Sequence, residues 1–396
     1  MLTSVGQDFK NSGFTQINGK GKFKSEDLSI PDNLNLGVYA TTYFQSQSHG
    51  QIAGVDSGSG LDQLGNKWGV PGNGGELSLF LGGRVSDFAG FLAEAGLGNG
   101  AAAVGPAKLV MLFPVGEARV GTVIFTSPDQ GAAYSFETLN TGAVGVHKMM
   151  GNGGPNNQHV NAAYAAQYLG TSTAATGLSV VANNAMGFIN VAAYEMIGND
   201  KGIAGANNLN LTYIRVASTM NFGDWASGFG IQNFGGKSTV TCADGVPMGD
   251  PTCAGTANAP KATIIDGQLE GTLGTMPVGF YASYGTAAAS TATDFNQFNP
   301  NVDSLGGKAR TSFNVAAELG VLPHTTVQAA IRMAKNGAAI NDTDNALMLG
   351  VTYQLAQNIL LSLNHTQQSG SAWNADAAGN KNAGKTADTL LLQTSF

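Results

Sequence analysis

Charged side chains are scarce in this chain, and those that could do chemistry fall at alternate positions of extended-looking segments. Asp266 and Glu270 stand in IIDGQLEGTL opposite Ile265, Leu269 and Leu273. Glu318 shares a row of TSFNVAAELGV with Ser312 and Asn314, opposite Phe313, Val315 and Leu319. Arg332 shares a row of TTVQAAIRMAK with Gln328, opposite Val327, Ile331 and Met333. A period of two marks strands with one apolar and one polar face. Two roles suit charges spaced in this way. They can line an aqueous passage whose field they set, or brace a wall by pairing across strands, Arg332 with Glu318. Arg84 and Glu94, from an earlier hairpin, are further lining candidates.

Signatures of other chemistry are missing from the sequence. The histidines are dispersed, and none has a companion at HExxH spacing. There is no GxSxG elbow, no Walker loop and no GxGxxG leading into a helix; GLGNG, Gly96 to Gly100, reads as a flexible loop. VHKMM sets His147 beside Met149 and Met150, residue types that ligate haem, but adjacency does not make a ligand pair. NDTDN, Asn341 to Asn345, lacks the full calcium-loop pattern and reads as a hydrated tip. The expectation is a protein that is not an enzyme and holds neither metal nor cofactor.

The segments that carry these residues must themselves be positioned. ALMLGVTYQL sets Leu347, Leu349, Val351, Tyr353 and Leu355 against Met348, Gly350, Thr352 and Gln354. Such stretches recur along the chain at about 9–13 residues each, and a tilted strand crosses hydrocarbon in about 9–11. LPHT, LAQN, GTMP and NFGD read as tight turns. Long polar links alternate with them, near 48–74, 236–260, 288–307 and 370–385.

Composition separates a membrane wall from a soluble sheet. Charged residues are only 11 % of the chain, whereas 43 % is hydrophobic and 56 residues are glycine. Soluble strands ordinarily carry Lys, Glu and Arg on their wet faces. Here those faces are Ser, Thr, Gln, Asn and Gly. The net charge of −7 and the lack of a basic stripe argue against nucleic acid. No apolar run is long enough for a spanning helix. In hydrocarbon only a closed barrel pairs every backbone group of a sheet. The expected fold is therefore all-β: a closed antiparallel transmembrane barrel of about 16 strands, with 18 as the alternative. Short turns would face the periplasm and long loops the exterior. Candidate strands number about 17, and closure needs an even count. Merging GLSVVANN with AMGFINVAAYEM gives the lower number, and a missed strand near Ala133–Val146 the higher. Residues 1–27, with Lys20, Lys22 and Lys24, read as a periplasmic lead-in or plug, and 28–396 as the barrel.

Cys242 and Cys253 bound the polar stretch TCADGVPMGDPTC and are read as a disulfide, which suits an oxidising compartment, over two free thiols. MLTSVGQDFKNSGF has neither a basic n-region nor an apolar h-region. An exported chain is thus expected to be shown in mature form or from a late start.

Two stretches carry resemblances. The terminal TADTLLLQTSF resembles the last strand of Gram-negative outer-membrane proteins, whose final aromatic is read by the barrel-assembly machinery. Leu392 and Phe396 match that pattern, and Thr394 stands where an apolar residue is usual. LTSVGQDFKNSGF, Leu2 to Phe14, is similar to the segment after the haem-binding CxxCH of outer-membrane cytochrome–porin fusions. No CxxCH occurs here. That resemblance implies haem only through a partner cytochrome, periplasmic or lumenal, or an upstream segment. The functional expectation is a porin-like channel passing small solutes through an outer membrane. The alternatives are the sheath of an extracellular electron conduit and a surface adhesin or structural β-protein.

Overall fold

The computed structural model of the protein describes residues 11–12, 21–24, 29–31, 35–47, 66–98, 101–142, 163–196, 209–239, 257–374 and 385–395. Sixteen long strands close an antiparallel barrel. They are β1 (Asn35–Gln47), β2 (Leu77–Arg84), β3 (Ala89–Gly98), β4 (Ala101–Val115), β5 (Ala118–Ser127), β6 (Ala175–Asn184), β7 (Gly187–Glu195) and β8 (Leu211–Ser218). The circuit continues with β9 (Trp225–Gly236), β10 (Ala262–Leu273), β11 (Met276–Ala287), β12 (Arg310–Leu322), β13 (Thr325–Lys335), β14 (Asn345–Ala356), β15 (Ile359–Ser369) and β16 (Thr386–Ser395). The wall closes where β16 pairs with β1, from Ala387 opposite Gln47 to Ser395 opposite Tyr39. Closure leaves no strand edge unpaired, as a sheet facing hydrocarbon requires.

The expected strand number holds, but the reason given for it does not. GLSVVANN and AMGFINVAAYEM are not one strand: β6 and β7 are separate and pair from Thr176 opposite Glu195 to Asn184 opposite Gly187. Only Ala185 and Met186 join them, too short a link to show as a loop in the sequence. Ala133–Val146 supplies no strand over its described residues, which form a 3-10 turn (Ala132–Ser135) and the coil after it. A short piece, Asn66–Pro71, pairs with the outer half of β1, while β2 pairs with the inner half.

The tight turns fall where the sequence placed them, each with a residue in the left-handed region. His324 and Asn358 turn the chain at φ 67° and 64°, and Gly223 and Gly274 do so without a side chain to strain. These turns lie at one end of the barrel, and the long links lie at the other.

Residue facing follows the strand period. Leu347, Leu349, Val351 and Tyr353 of β14 point outward and are exposed, whereas Met348 points inward and is buried. Ile189, Ile214, Ile231, Ile265, Phe280 and Phe313 continue this exposed apolar belt around the barrel. Each would lose about 1.5–3 kcal/mol of burial free energy if left in water. A belt of this extent far exceeds the few hundred Å² of apolar patch on a soluble monomer. The outer face is built for an apolar solvent.

The inner face has two characters. From β12 through β16 to β1 it carries mostly amides and hydroxyls, among them Asn314, Asn364, Thr389 and Gln45. From β4 to β8 it carries Val110, Leu112, Val123, Phe125, Tyr194 and Tyr213, packed into one cluster with Phe136, Leu139 and Leu169. The last three belong to the long link between β5 and β6. That link therefore turns into the barrel and packs on the inner wall. Its end is a short helix, α1 (Ala165–Leu169), closed by Gly170 at φ 73°.

Candidate functional site

The inward loop meets the wall at a buried charge cluster. Arg215 stands in the inward row of β8 with Leu211, Tyr213 and Ala217. Its Nη1 lies 2.5 Å from Asp266 Oδ2 and its Nη2 2.9 Å from Oδ1, a two-pronged grip across β9 onto β10. Its Nε lies 2.9 Å from Oε2 of Glu137 on the loop. Arg215 and Asp266 have 0 % of their side chains exposed and Glu137 has 1 %.

Room for the cluster comes from missing side chains. A β-carbon at Gly230 would run into the Arg215 guanidinium, and one at Gly142 would strike the Glu137 carboxylate. Glu137 Oε1 also accepts the backbone N–H groups of Thr138 and Leu139, at 2.9 and 2.7 Å. The Thr141 hydroxyl donates to Asp266 Oδ1 at 2.7 Å. Asn190 Nδ2 donates to Ser135 Oγ and to the Phe136 carbonyl, at 2.8 and 3.0 Å. Charge, backbone and amide contacts thus hold one loop to β7, β8 and β10.

One cation facing two carboxylates leaves the cluster one negative charge in excess. Burial lifts the Glu137 carboxyl above the usual carboxylate range, outweighing the pull of Arg215, and Asp266 adds to the rise. The raised value belongs to the seated loop, so seating takes up a proton that a free loop would not bind at that pH. Seating should strengthen as pH falls through the raised value, with no further gain below the ordinary range. The thermal transition of the loop, followed by near-ultraviolet dichroism against pH, should show this rise. Glu137→Gln should flatten it.

A second group lies one layer lower. Glu270, Gly279 and Glu318 stand side by side on β10, β11 and β12. With no side chain at Gly279, Tyr281 lies over it, and its hydroxyl is 3.1 Å from Glu270 Oε1 and 2.9 Å from Glu318 Oε1. One hydroxyl proton serves two acceptors. Asn140 of the loop donates to the same Glu270 oxygen. Gln328 Nε2, opposite Glu318 in register, approaches Glu318 Oε2 at 3.4 Å.

The expected brace between Arg332 and Glu318 does not form. Asn314 stands opposite Arg332, and Glu318 lies two inward positions away. Arg332 instead reaches the loop after β13, with Nη2 2.7 Å from Asp344 Oδ1, and reaches Gln368 of β15 at 3.2 Å. Its guanidinium also lies over the Tyr168 ring of α1, 4.8 Å from the centroid, and Arg310 lies 4.6 Å from the same centroid. Arg84 is buried at the short-turn end and paired with Asp87. Glu94 accepts from the Ser78 hydroxyl at 2.7 Å on the adjacent strand. All six sequence candidates are thus tied to neighbours, and Asp266, Glu270 and Arg332 are tied to the inward loop.

Sequence reasoning missed Arg215, Glu137 and Lys108. Lys108 is buried on the inner face of β4 and donates to the Tyr134 carbonyl of the loop at 3.1 Å. In LTYIRVAS both rows look apolar, so a single arginine gives no facing signal; only its isolation between Ile214 and Val216 marks it. At the short-turn end, Asn183 Nδ2 donates to the Asn11 carbonyl at 2.8 Å, and Arg119 Nη1 to the Ser12 hydroxyl at 3.2 Å. Leu392 faces outward between Leu361 and Thr42. Phe396, Cys242, Cys253, His147, Met149 and Met150 lie outside the described residues.

No family model and no curated protein matches the sequence. Solved structures do match the fold. A complex of Salmonella typhi OmpF with daunomycin is similar at 11 % identity and TM-score 0.51, over 92 % of this chain and 97 % of that one. A mutant of the porin of Rh. blastica is similar at 13 % identity and TM-score 0.50, over 92 % and 100 %. In-vitro folded OmpT, an outer membrane protein of Vibrio cholerae, is similar at 11 % and 0.50, over 92 % and 97 %. The chain shares the barrel architecture of outer-membrane porins.

Proposed function

We propose that the chain spans the outer membrane of a Gram-negative bacterium as a porin-type barrel that gives small solutes a way across. The closed wall with its continuous outward apolar belt supports this reading most directly. Lipid is then the outer partner, and the barrel-assembly machinery acts on the terminal strand. Asp266, Glu270, Glu318 and Arg332 face the lumen side and set the local field along the path.

Purified protein should need detergent for extraction and should migrate faster on SDS gels unheated than boiled. Solubility without detergent, with one mobility before and after heating, would overturn the reading. Ion conductance in planar bilayers tests passage itself. The electron-conduit reading shares one observation, an inner wall covered over much of its area. It requires haem absorbance in protein purified from its native membrane, which a porin alone lacks.

A further inference from the structure

One row of inward residues runs in register across six strands, from β10 to β15. It reads Glu270, Gly279, Glu318, Gln328, Gly350 and Asn364. At each of its two glycines, neighbouring side chains fold into the space a β-carbon would take. Over Gly279 lies the Tyr281 hydroxyl, which sets a donor between the acceptors Glu270 and Glu318. Over Gly350 two acceptors converge instead: Asn364 Oδ1 lies 2.6 Å and Gln328 Oε1 3.1 Å from the β-position. Gln328 is turned this way because its Nε2 faces Glu318 Oε2, at 3.4 Å.

Convergent carbonyl oxygens repel unless a positive group lies between them. Asn364 is only 5 % exposed, and its Oδ1 is buried without a hydrogen-bond partner, a costly state for an amide. Charge along the row points the same way. Among the described residues no Lys or Arg pairs with Glu270 or Glu318. Nor do three His, Cys, Asp or Glu side chains converge among the described residues. The donors here are amide and carboxylate oxygens, which suit a hard cation and not a transition metal. The calcium candidate of the sequence is already taken: in NDTDN, Asp342 pairs with Lys308 and Lys335, and Asp344 with Arg332, Tyr168 and Trp373.

We infer that Gln328 Oε1 and Asn364 Oδ1 hold a hard cation of the Ca2+ class over Gly350, with Glu318 as the adjacent charge and water completing the shell. The ion ties β13 to β15 across β14 and answers the negative charge of the row. The missing side chain at Gly350 makes the room. Neutral amides on separate strands carry no ligand spacing in the sequence, so the expectation of no metal had nothing to read here. The site does not depend on solute passage, and silence in planar bilayers leaves it standing.

The full chain, folded in an uncharged detergent free of lipid and stripped with EDTA, tests the site with two probes. Tb3+ should bind with tyrosine-sensitised luminescence, because Tyr281 touches Glu318. Ca2+ should displace it at about 10⁻⁴–10⁻³ M, the range of weakly charged oxygen sites. Asn364→Leu, which removes one oxygen, and Gly350→Ala, which fills the cradle, should each weaken Ca2+ competition by roughly tenfold or more. Asp342→Asn should leave it unchanged. Unheated gel mobility certifies that each variant is folded. Should Gly350→Ala fail to fold, Asn364→Leu decides alone, and Glu318→Gln replaces whichever variant is lost. Equal Ca2+ affinity in the parent and the folded row variants would overturn the site. So would loss of binding in Asp342→Asn, which would move the ion to the loop tip. Absence of saturable Ca2+ competition in the parent would also overturn it, leaving two amides hydrogen-bonded to each other over Gly350.

Discussion

Replacing Arg215 by methionine is expected to weaken the seating of the inward loop by about 3–5 kcal/mol, the range for breaking a buried charge cluster by removing one partner. Methionine fills most of the same space, so the loss is electrostatic. Asp266 and Glu137 would face each other across a buried gap with no cation between them. The loop is the element able to leave, because Asp266 is held in a strand paired on both sides. Limited proteolysis of folded protein should cut the variant within 128–174 under conditions that spare the parent. The triple change Arg215→Met, Glu137→Gln, Asp266→Asn should regain most of the resistance, since neutral groups of similar size need no counter-charge. Cleavage of the triple variant as fast as of the single one would show that the cluster acts by shape and not by charge.

Substituting Gly230 by valine should produce nearly the same loosening without touching a charge. A β-carbon there meets the guanidinium of Arg215 at Nη1, Nη2 and Cζ, so the arginine must leave its two-pronged seat on Asp266. Displacing that seat should cost roughly 2–4 kcal/mol, the upper range for overpacking joined to a broken buried pair. Gly223 is the fitting control, because it lies in a tight turn with open space around its β-position. Its left-handed φ of 59° makes Gly223→Asn the tolerated exchange. Protease resistance should fall in Gly230→Val and hold in Gly223→Asn. If Gly230→Val keeps its loop as firmly as the parent, the two-pronged grip is not what seats the loop.

Some of this architecture is local to a stretch of chain and could be read beforehand, and some is not. Strand facing is a local property. Alternation in ALMLGVTYQL fixes which side chains share a face whatever the rest of the chain does, because the backbone pleat repeats every two residues. The tight turns are equally local, and LAQN and LPHT carry their left-handed residues within four positions. The separation of β6 from β7 was hidden because a two-residue link needs no polar run to announce it.

What the lumen contains was not local at all. Glu137 and Arg215 stand 78 positions apart, and Arg215 and Asp266 stand 51 apart. No periodicity connects such residues, and Glu137 sits in SFETLN, within the stretch that the sequence offered only as a missed strand. Arg332 shows the same limit from the other side. Its inward facing was legible, yet its partner was set by strand register, which placed Asn314 opposite and brought Asp344 within reach. A shift of four residues would have delivered Glu318 instead.

By itself the sequence determined a sheet with an oily face and a sparsely charged one, in strands of membrane-crossing length with turns at one end and links at the other. That much follows from side-chain order along an extended backbone. Only the tertiary structure decided that a link the sequence had not marked out, between β5 and β6, folds inward, that its apolar residues complete a core on half of the wall, and that one arginine is shared between loop and barrel. Those contacts depend on curvature and closure, which bring distant strands together around one enclosed space and have no counterpart in a single stretch of chain.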